Sequence, residues 1–311
     1  MRRKIVIDTD PGVDDALAIL LALASPELDV LGIAAVAGNT PLPLTERNAR
    51  ALVELAGRAD IPVHAGCARP IGRALVTSEH VHGPSGLGTL KLPAPRIAAA
   101  PMHGVDFLIE TLRREAPGTV TLCALGPLTN IGLALVKAPD ISGRVQELVL
   151  MGGASHALGN VTPAAEFNIH VDPLAAELVF ASGMPITMIP LDLTHQVPAT
   201  PARVRSIAAL GNRCGSAVAE LLAPGDYRGG AFGQAGRPLH DPCVIAWLLA
   251  SDLFEGDSVN VAIETASPLT LGMTIVDWRG ISGRPANARV LHTIDADGFY
   301  RLLTEQLGRL P

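Results

Sequence analysis

Lys4-Ile5-Val6-Ile7-Asp8-Thr9-Asp10-Pro11-Gly12-Val13-Asp14-Asp15, running straight into the apolar stretch Ala16–Ala24, decides the fold class. Lys4–Asp8 reads as a buried strand, Pro11-Gly12 forces a turn, and Asp14–Ser25 reads as an apolar helix. A buried strand, a tight turn and a helix apolar on every side form the opening of a βαβ unit. Working outward, Val30–Ala37 is a second β-branched run and Thr45–Gly57 is helical. Asp106–Ala116 is a helix, Val120–Ala124 a strand, Thr129–Lys137 a helix and Val145–Met151 a strand. Asp172–Ser182 and Cys243–Ala250 read as helices, with a strand at Ile186–Pro190 between them. Strands separated by helices of 10–15 residues predict an α/β fold. Its sheet is open, mostly parallel and Rossmann-like, with helices on both faces. No repeat or linker interrupts the chain, so a single domain over residues 1–311 with loop insertions is expected. Gly66–Pro95 and Pro224–Pro238 are the loop-like segments, and long irregular stretches in compact domains are usually functional.

The first strand delivers four carboxylates, Asp8, Asp10, Asp14 and Asp15, within eight residues. Two carboxylates ~5 Å apart repel by about 3 kcal/mol at an effective dielectric of ~20. A helix N-terminus offsets only about 0.3–1 kcal/mol of that. A bound cation is the natural remedy, and an all-oxygen set selects Ca²⁺ or Mg²⁺ rather than zinc. The plainer alternative is one Asp capping the helix and the others solvated. Asp8, still on the strand, is the member most suited to a purely structural part. The D-x-D of a haloacid dehalogenase-type phosphatase does not fit, because Pro-Gly-Val stands where that chemistry needs a hydroxyl residue.

Other polar groups follow strand ends, where open α/β sheets gather ligands. Asn39 either shapes a turn or presents its amide to a ligand. The Gly-Pro turn after Leu125 exposes carbonyls suited to a hard cation, or is a simple strand-to-helix turn. Met151-Gly152-Gly153 ends a strand, and Asn160, Glu166 and Asn168 then supply partners for a vicinal diol, as in a sugar; Phe167 between them reads as packing. Asp241-Pro242 has the form of an ordinary N-cap, and Asp172-Pro173 starts a helix the same way without a preceding histidine. His240 adds a group able to donate a proton near neutral pH. His80 and His82 have metal-ligand spacing but no third ligand, and a loop closing over a ligand is the better reading.

Composition narrows the class further. The 311 residues hold 24 Lys+Arg and 30 Asp+Glu, a net charge of −6, with 48% hydrophobic and 17% charged residues. That excludes a disordered chain, and the acidic balance argues against nucleic acid as a partner. The longest apolar run, Ala16–Ala24, falls short of the ~20 residues of a membrane span. The basic start Arg2-Arg3-Lys4 has no signal-peptide core behind it. Cys67, Cys123, Cys214 and Cys243 form no C-x-x-C pair and suggest neither zinc nor disulfides. A cytoplasmic protein is expected.

Taken together, the motifs resemble the inosine-uridine-type nucleoside hydrolases. They are D-T-D-P-G-V-D-D at Asp8–Asp15, G-N-T at Gly38–Thr40, L-G-P-L-T-N at Leu125–Asn130 and M-G-G at Met151–Gly153. P-A-A-E-F-N-I at Pro163–Ile169, L-H-D-P-C at Leu239–Cys243 and G-M-T-I-V-D at Gly272–Asp277 continue the match in family order. The resemblance implies a calcium-dependent N-ribosyl hydrolase of open α/β fold. It implies Ca²⁺ held by Asp10, Asp15, the Leu125 carbonyl and Asp241, with Asp10 accepting the proton of the attacking water. It further implies Asp14, Asn39, Asn160, Glu166 and Asn168 on the ribose hydroxyls, Met151 beside them, and His240 serving the departing base. Within the family, H-G-P-S-G-L-G around His82 and L-H-D-P-C-V-I-A-W-L-L are most similar to the bacterial pyrimidine-specific ribonucleoside hydrolases. Base contacts are expected from Tyr227, His82 and Gln234, and the substrates expected are uridine and cytidine. An inosine hydrolase, or an idle nucleoside-binding protein on the same fold, is the alternative. The family also implies a homodimer or homotetramer.

Overall fold

In the computed structural model, which describes residues 2–223 and 236–311, eleven strands are assigned among the described residues. They are β1 (Arg3–Thr9), β2 (Leu28–Ala35), β3 (Val63–Ala65), β4 (Val120–Ala124), β5 (Val145–Met151) and β6 (Ile186–Ile189). β7 (Pro198–Ala199) and β8 (Arg237–Pro238) form a two-residue ribbon, and β9 (Phe254–Ile263), β10 (Thr274–Asp277) and β11 (Ala288–Ile294) follow. Nine strands make one sheet in the order β10-β9-β11-β6-β5-β4-β1-β2-β3. From β3 across to β11 every pair is parallel, whereas β9 runs antiparallel to both β11 and β10.

Alternation along β1 explains why the sheet is covered twice. Ile5 and Ile7 point into one apolar layer with Leu17, Leu21, Val244 and Phe299, carried by the helices Val13–Ala24, Pro242–Leu249 and Ala296–Leu307. Val6 points the other way, into a layer with Leu108, Ile131 and Val179 from the helices Gly104–Arg114, Thr129–Lys137 and Pro173–Phe180. The helix Val13–Ala24 is buried along its whole length, as its unbroken apolar sequence requires. No helix among the described residues is long and apolar enough to cross a membrane.

Several boundaries differ from expectation. The helix expected at Thr45–Gly57 is Leu42–Leu55, because Pro43 sits in its first turn, where a missing N–H costs nothing. The strand expected at Val30–Ala37 lies two residues earlier, at Leu28–Ala35. Gly66–Pro95, expected to be irregular, contains the short helix Glu79–His82. Within Pro224–Pro238, residues 224–235 lie outside the described residues.

Chain order positions the site. From β1 the chain steps to β2 and β3 on one side, and from β4 to β5 and β6 on the other. The order therefore reverses between β1 and β4, and the carboxyl ends of those two strands open a crevice there.

Candidate active site

β1 ends at this switch point in Asp8-Thr9-Asp10. Asp8 Oδ2 accepts a hydrogen bond of 2.8 Å from Asn130 Nδ2, and Asn130 also accepts from the Cys67 amide at 2.8 Å. Asp8 thus ties β1 to the helix after β4, the structural part its position suggested. Burial raises its pKa to about 7 against that bond. Asp10 Oδ2 accepts from the Asn39 amide at 2.6 Å, while its Oδ1 is buried without a hydrogen-bond partner. The carboxylate lies between two glycines: a Cβ on Gly38 would stand 2.0 Å from Oδ2, and one on Gly126 2.2 Å from Oδ1. Both strand-end glycines are therefore needed for close approach.

Asp15 is held from three directions. It accepts from Thr9 Oγ1 at 2.5 Å, the Gly12 amide at 2.9 Å and Asn39 Nδ2 at 3.0 Å. Asn39 Nδ2 also donates to the Asp10 carbonyl at 3.1 Å, and its Oδ1 accepts from Ser78 Oγ at 2.7 Å. Most of the Asn39 amide is thus committed to bracing the acids.

Asp241 answers the question its sequence left open. It precedes the helix Pro242–Leu249 in αR geometry and makes no side-chain cap. Asp172, in the same Asp-Pro setting, caps Ala175 N at 3.2 Å and also accepts from the Ile71 amide at 2.9 Å and Thr129 Oγ1 at 2.7 Å. Instead of capping, the Asp241 carboxylate joins those of Asp14 and Asp15, with ligand oxygens all within 4.8 Å of one another. Burial first, then the neighbouring carboxylates, push Asp10 and Asp241 well above the ordinary range and Asp15 to about 6. No basic side chain figures among these influences. The all-oxygen cluster fits a hard cation; it holds Asp14 where Asp10 was expected, and the unpartnered Oδ1 of Asp10 lies against Gly126.

Above this floor lies a cavity of about 630 Å³. Its lining brings together the predicted residues Asp14, Asn39, His82, Leu125, Met151, Asn160, Glu166, Asn168, His240 and Asp241. Asp10 and Asp15 lie beneath it, fully buried. Glu166 precedes the helix Phe167–Val171 and accepts from the amides of Asn168 at 2.8 Å, Gly153 at 2.9 Å and Ile169 at 3.2 Å. Burial still raises it to about 7. Asn168 Nδ2 donates to the carbonyls of Leu125 at 2.9 Å and Met151 at 3.1 Å, bridging the ends of β4 and β5. Asn160 Oδ1 receives the Phe167 amide at 2.9 Å. Tyr227 and Gln234 lie outside the described residues.

Two histidines complete the wall. His240 was expected to titrate near neutrality, but burial lowers it to about 4, so the ring is uncharged at neutral pH. His82 is likewise lowered to about 4 by burial. Its Nδ1 accepts from the Val13 amide at 3.0 Å, which takes that nitrogen out of any metal pairing with His80. Sequence reasoning missed Ser78, His195 and Arg237, which also line the cavity, and Thr194, whose Oγ1 lies 2.8 Å from His240 Nδ1. None carries a local motif.

Comparison with known proteins finds relatives along nearly the whole chain. The family model described as "Inosine-uridine preferring nucleoside hydrolase" matches residues 5–301. The chain is 52% identical over 309 residues to an uncharacterized protein of Schizosaccharomyces pombe, covering 99% of this chain and 100% of that one. It is 46% identical over 313 residues to the pyrimidine-specific ribonucleoside hydrolase RihA of Shewanella sp. strain ANA-3, covering 99% and 97%. Among solved structures, the purine-preferring ribonucleoside hydrolase from Gardnerella vaginalis superposes with a TM-score of 0.91 at 32% identity, covering 98% of each chain. With the match spanning nearly every residue from β1 to the last helix, the chain belongs to the inosine-uridine preferring nucleoside hydrolase family.

Proposed function

We propose that this nucleoside hydrolase acts on pyrimidine ribonucleosides, uridine and cytidine first, and that its cation is Ca²⁺ held by Asp10, Asp15, the Leu125 carbonyl and Asp241. The observation that carries the metal is the buried cluster of carboxylate oxygens from Asp14, Asp15 and Asp241, and the unpartnered Oδ1 of Asp10 is a further buried oxygen in need of a partner. Calcium tolerates such a mixture of carboxylate and carbonyl oxygens better than Mg²⁺. The pyrimidine preference is supported by relatives at 45–46% identity named pyrimidine-specific, against 32% for the purine-preferring enzyme of known structure.

When bound, the ion would supply Lewis acidity toward water and the sugar diol. Asp14, Asn39, Asn160, Glu166 and Asn168 hold the ribose hydroxyls, with Met151 beside the sugar, and so fix the attack geometry. The carboxylates around the ribose stabilise the oxocarbenium-like charge that develops as the glycosidic bond breaks. Asp10 receives the proton of the attacking water. His240 serves the departing base, with His82 and Tyr227 as base contacts. We assign this to one domain spanning residues 1–311, a cytoplasmic homo-oligomer (dimer or tetramer) in nucleoside catabolism and pyrimidine salvage.

The test is a kcat/KM panel over uridine, cytidine, inosine and their 2′-deoxy forms, with free base and ribose quantified. Uridine and cytidine should lead, deoxy forms should be poor, and thorough chelation should abolish turnover until calcium is restored. Full activity without metal would remove the ion from the scheme. Preferred cleavage of inosine would reverse the base assignment, and saturable binding without product would indicate an idle binding protein.

A further inference from the structure

His82, from the short helix Glu79–His82, and His240, just before Asp241, both face the cavity, and the same ring nitrogen holds each of them. At His82 the Val13 amide points at Nδ1 from 3.0 Å. An amide only donates, so that Nδ1 carries a lone pair and the ring proton sits on Nε2. At His240 the partner of Nδ1 is Thr194 Oγ1 at 2.8 Å. A hydroxyl can donate or accept, but Thr194 is fully buried and its hydroxyl makes no other hydrogen bond among the described residues. Were Nδ1 protonated, the Thr194 O–H would be stranded in the interior without an acceptor, a costly arrangement. The hydroxyl therefore donates to Nδ1, and His240 also carries its proton on Nε2.

The backbone enforces both pairs. Thr194 ends the helix that follows β6, and His240 follows β8; between them β7 and β8 pair Pro198 with Pro238 and Ala199 with Arg237. The Leu239 amide adds a bond to the Val197 carbonyl at 3.2 Å, so the two segments stay in register. On the other wall, the amides of Val81 and His82 bond to the Ser78 carbonyl at 2.8 and 3.0 Å, and Ser78 Oγ bonds to Asn39.

We propose that Thr194 is a positioning residue which, with the Val13 amide, locks His240 and His82 as Nε2–H tautomers. The cavity then offers two uncharged N–H donors to a leaving base that presents acceptors, a ring carbonyl oxygen or ring nitrogen, on that side. This rests on the nucleoside reading of the cavity. The electron pair of the broken C–N bond stays on the base, where the N–H donors hold the developing charge. The base then takes its proton from solvent water, because full transfer from a neutral ring would leave an imidazolate.

Long-range ¹H–¹⁵N correlation on calcium-loaded, ¹⁵N-histidine-labelled protein reads the tautomers directly, with His82→Asn and His240→Asn giving the assignments. Both rings should show a protonated Nε2 and an unprotonated Nδ1. Thr194→Val keeps the side-chain shape but removes the donor. It should convert His240 to a mixed or Nδ1–H pattern, leave His82 unchanged, and lower kcat about 10-fold to 100-fold with little change in KM. Thr194→Ser should restore both signals. An Nδ1–H ring at His240 in the wild type, or Thr194→Val with wild-type tautomer and kcat, overturns the proposal. A protein with the expected tautomers that splits no nucleoside keeps the lock and sinks the assigned function. An active hydrolase with the inverted ring sinks the lock alone.

Discussion

Changing Asp241 to Asn should make the chelated protein more stable. Asp241 heads the helix Pro242–Leu249 without capping it, so the helix loses no bond. Its carboxylate lies within 4.8 Å of those of Asp14 and Asp15, and two full charges at that spacing repel by about 3 kcal/mol at an effective dielectric of ~20. Proton uptake, visible in the raised Asp241 pKa, already relieves part of that repulsion. The expected gain in EDTA is therefore about 1–3 kcal/mol, a rise in melting temperature of about 2–6 °C for a chain of this size. The matched control is Asp172→Asn, which puts an amide NH₂ where a carboxylate accepts from Ala175, Ile71 and Thr129. That change should cost about 1–3 kcal/mol. Calcium at ~100 times its Kd should then stabilise the wild type by about 2.7 kcal/mol, and Asp241→Asn by much less. Thermal denaturation of the three proteins with and without calcium decides the matter. If Asp241→Asn melted as far below wild type in EDTA as Asp172→Asn, Asp241 would be a cap and the acid cluster would lose its third member.

In EDTA, stability should rise as pH falls from about 8 to about 6.5. Asp8 and Glu166 are raised to about 7 and Asp15 to about 6. Their contribution is full below the unfolded pKa and is lost as pH rises through the folded one. His82 and His240, lowered to about 4 from 6.5, oppose the trend once the unfolded chain begins to charge them, below about pH 6.5. A metal-free melting temperature that falls as pH is lowered from about 8 to about 6.5 would refute the raised carboxylates. Gly126→Ala puts a Cβ 2.2 Å from Asp10 Oδ1, so the carboxylate must retreat by about 1 Å, and kcat/KM should fall about 10²-fold. Gly143→Ala, whose Cβ would meet nothing within 4 Å, should match the wild type. Equal kinetics for the two alanine variants would show that Asp10 tolerates displacement.

Strands buried on both faces announced themselves. Val120–Ala124 and Val145–Met151 coincide with the expected runs, because a parallel strand covered twice is a plain apolar stretch. β9 did not. Its residues Phe254–Ile263 include Glu255, Asp257 and Asn260, and its solvent-facing side chains break the apolar run. β3 is only three residues long and β10 only four, and β11 reaches the parallel part of the sheet by pairing with β6, about a hundred residues earlier. At the site, the clustered acids after β1 were legible because like charges so close together demand an explanation. Asp172 and Asp241 were not separable, since both precede proline and only backbone angles and neighbours decide which one caps. Thr194 and Ser78 left no trace, because a lone hydroxyl acquires its meaning from a ring or amide far along the chain.

The cation pocket closes a circuit between distant parts of the polypeptide. Asp14 and Asp15 are made more than two hundred residues before Asp241. On a ribosome, the first two acids therefore wait for their counterpart, and a nascent or truncated chain ending before Asp241 has no complete cradle. Mutations that slow docking of the segment carrying Asp241 onto the first strand should therefore surface first as weakened ion affinity, ahead of any visible loss of helix or sheet.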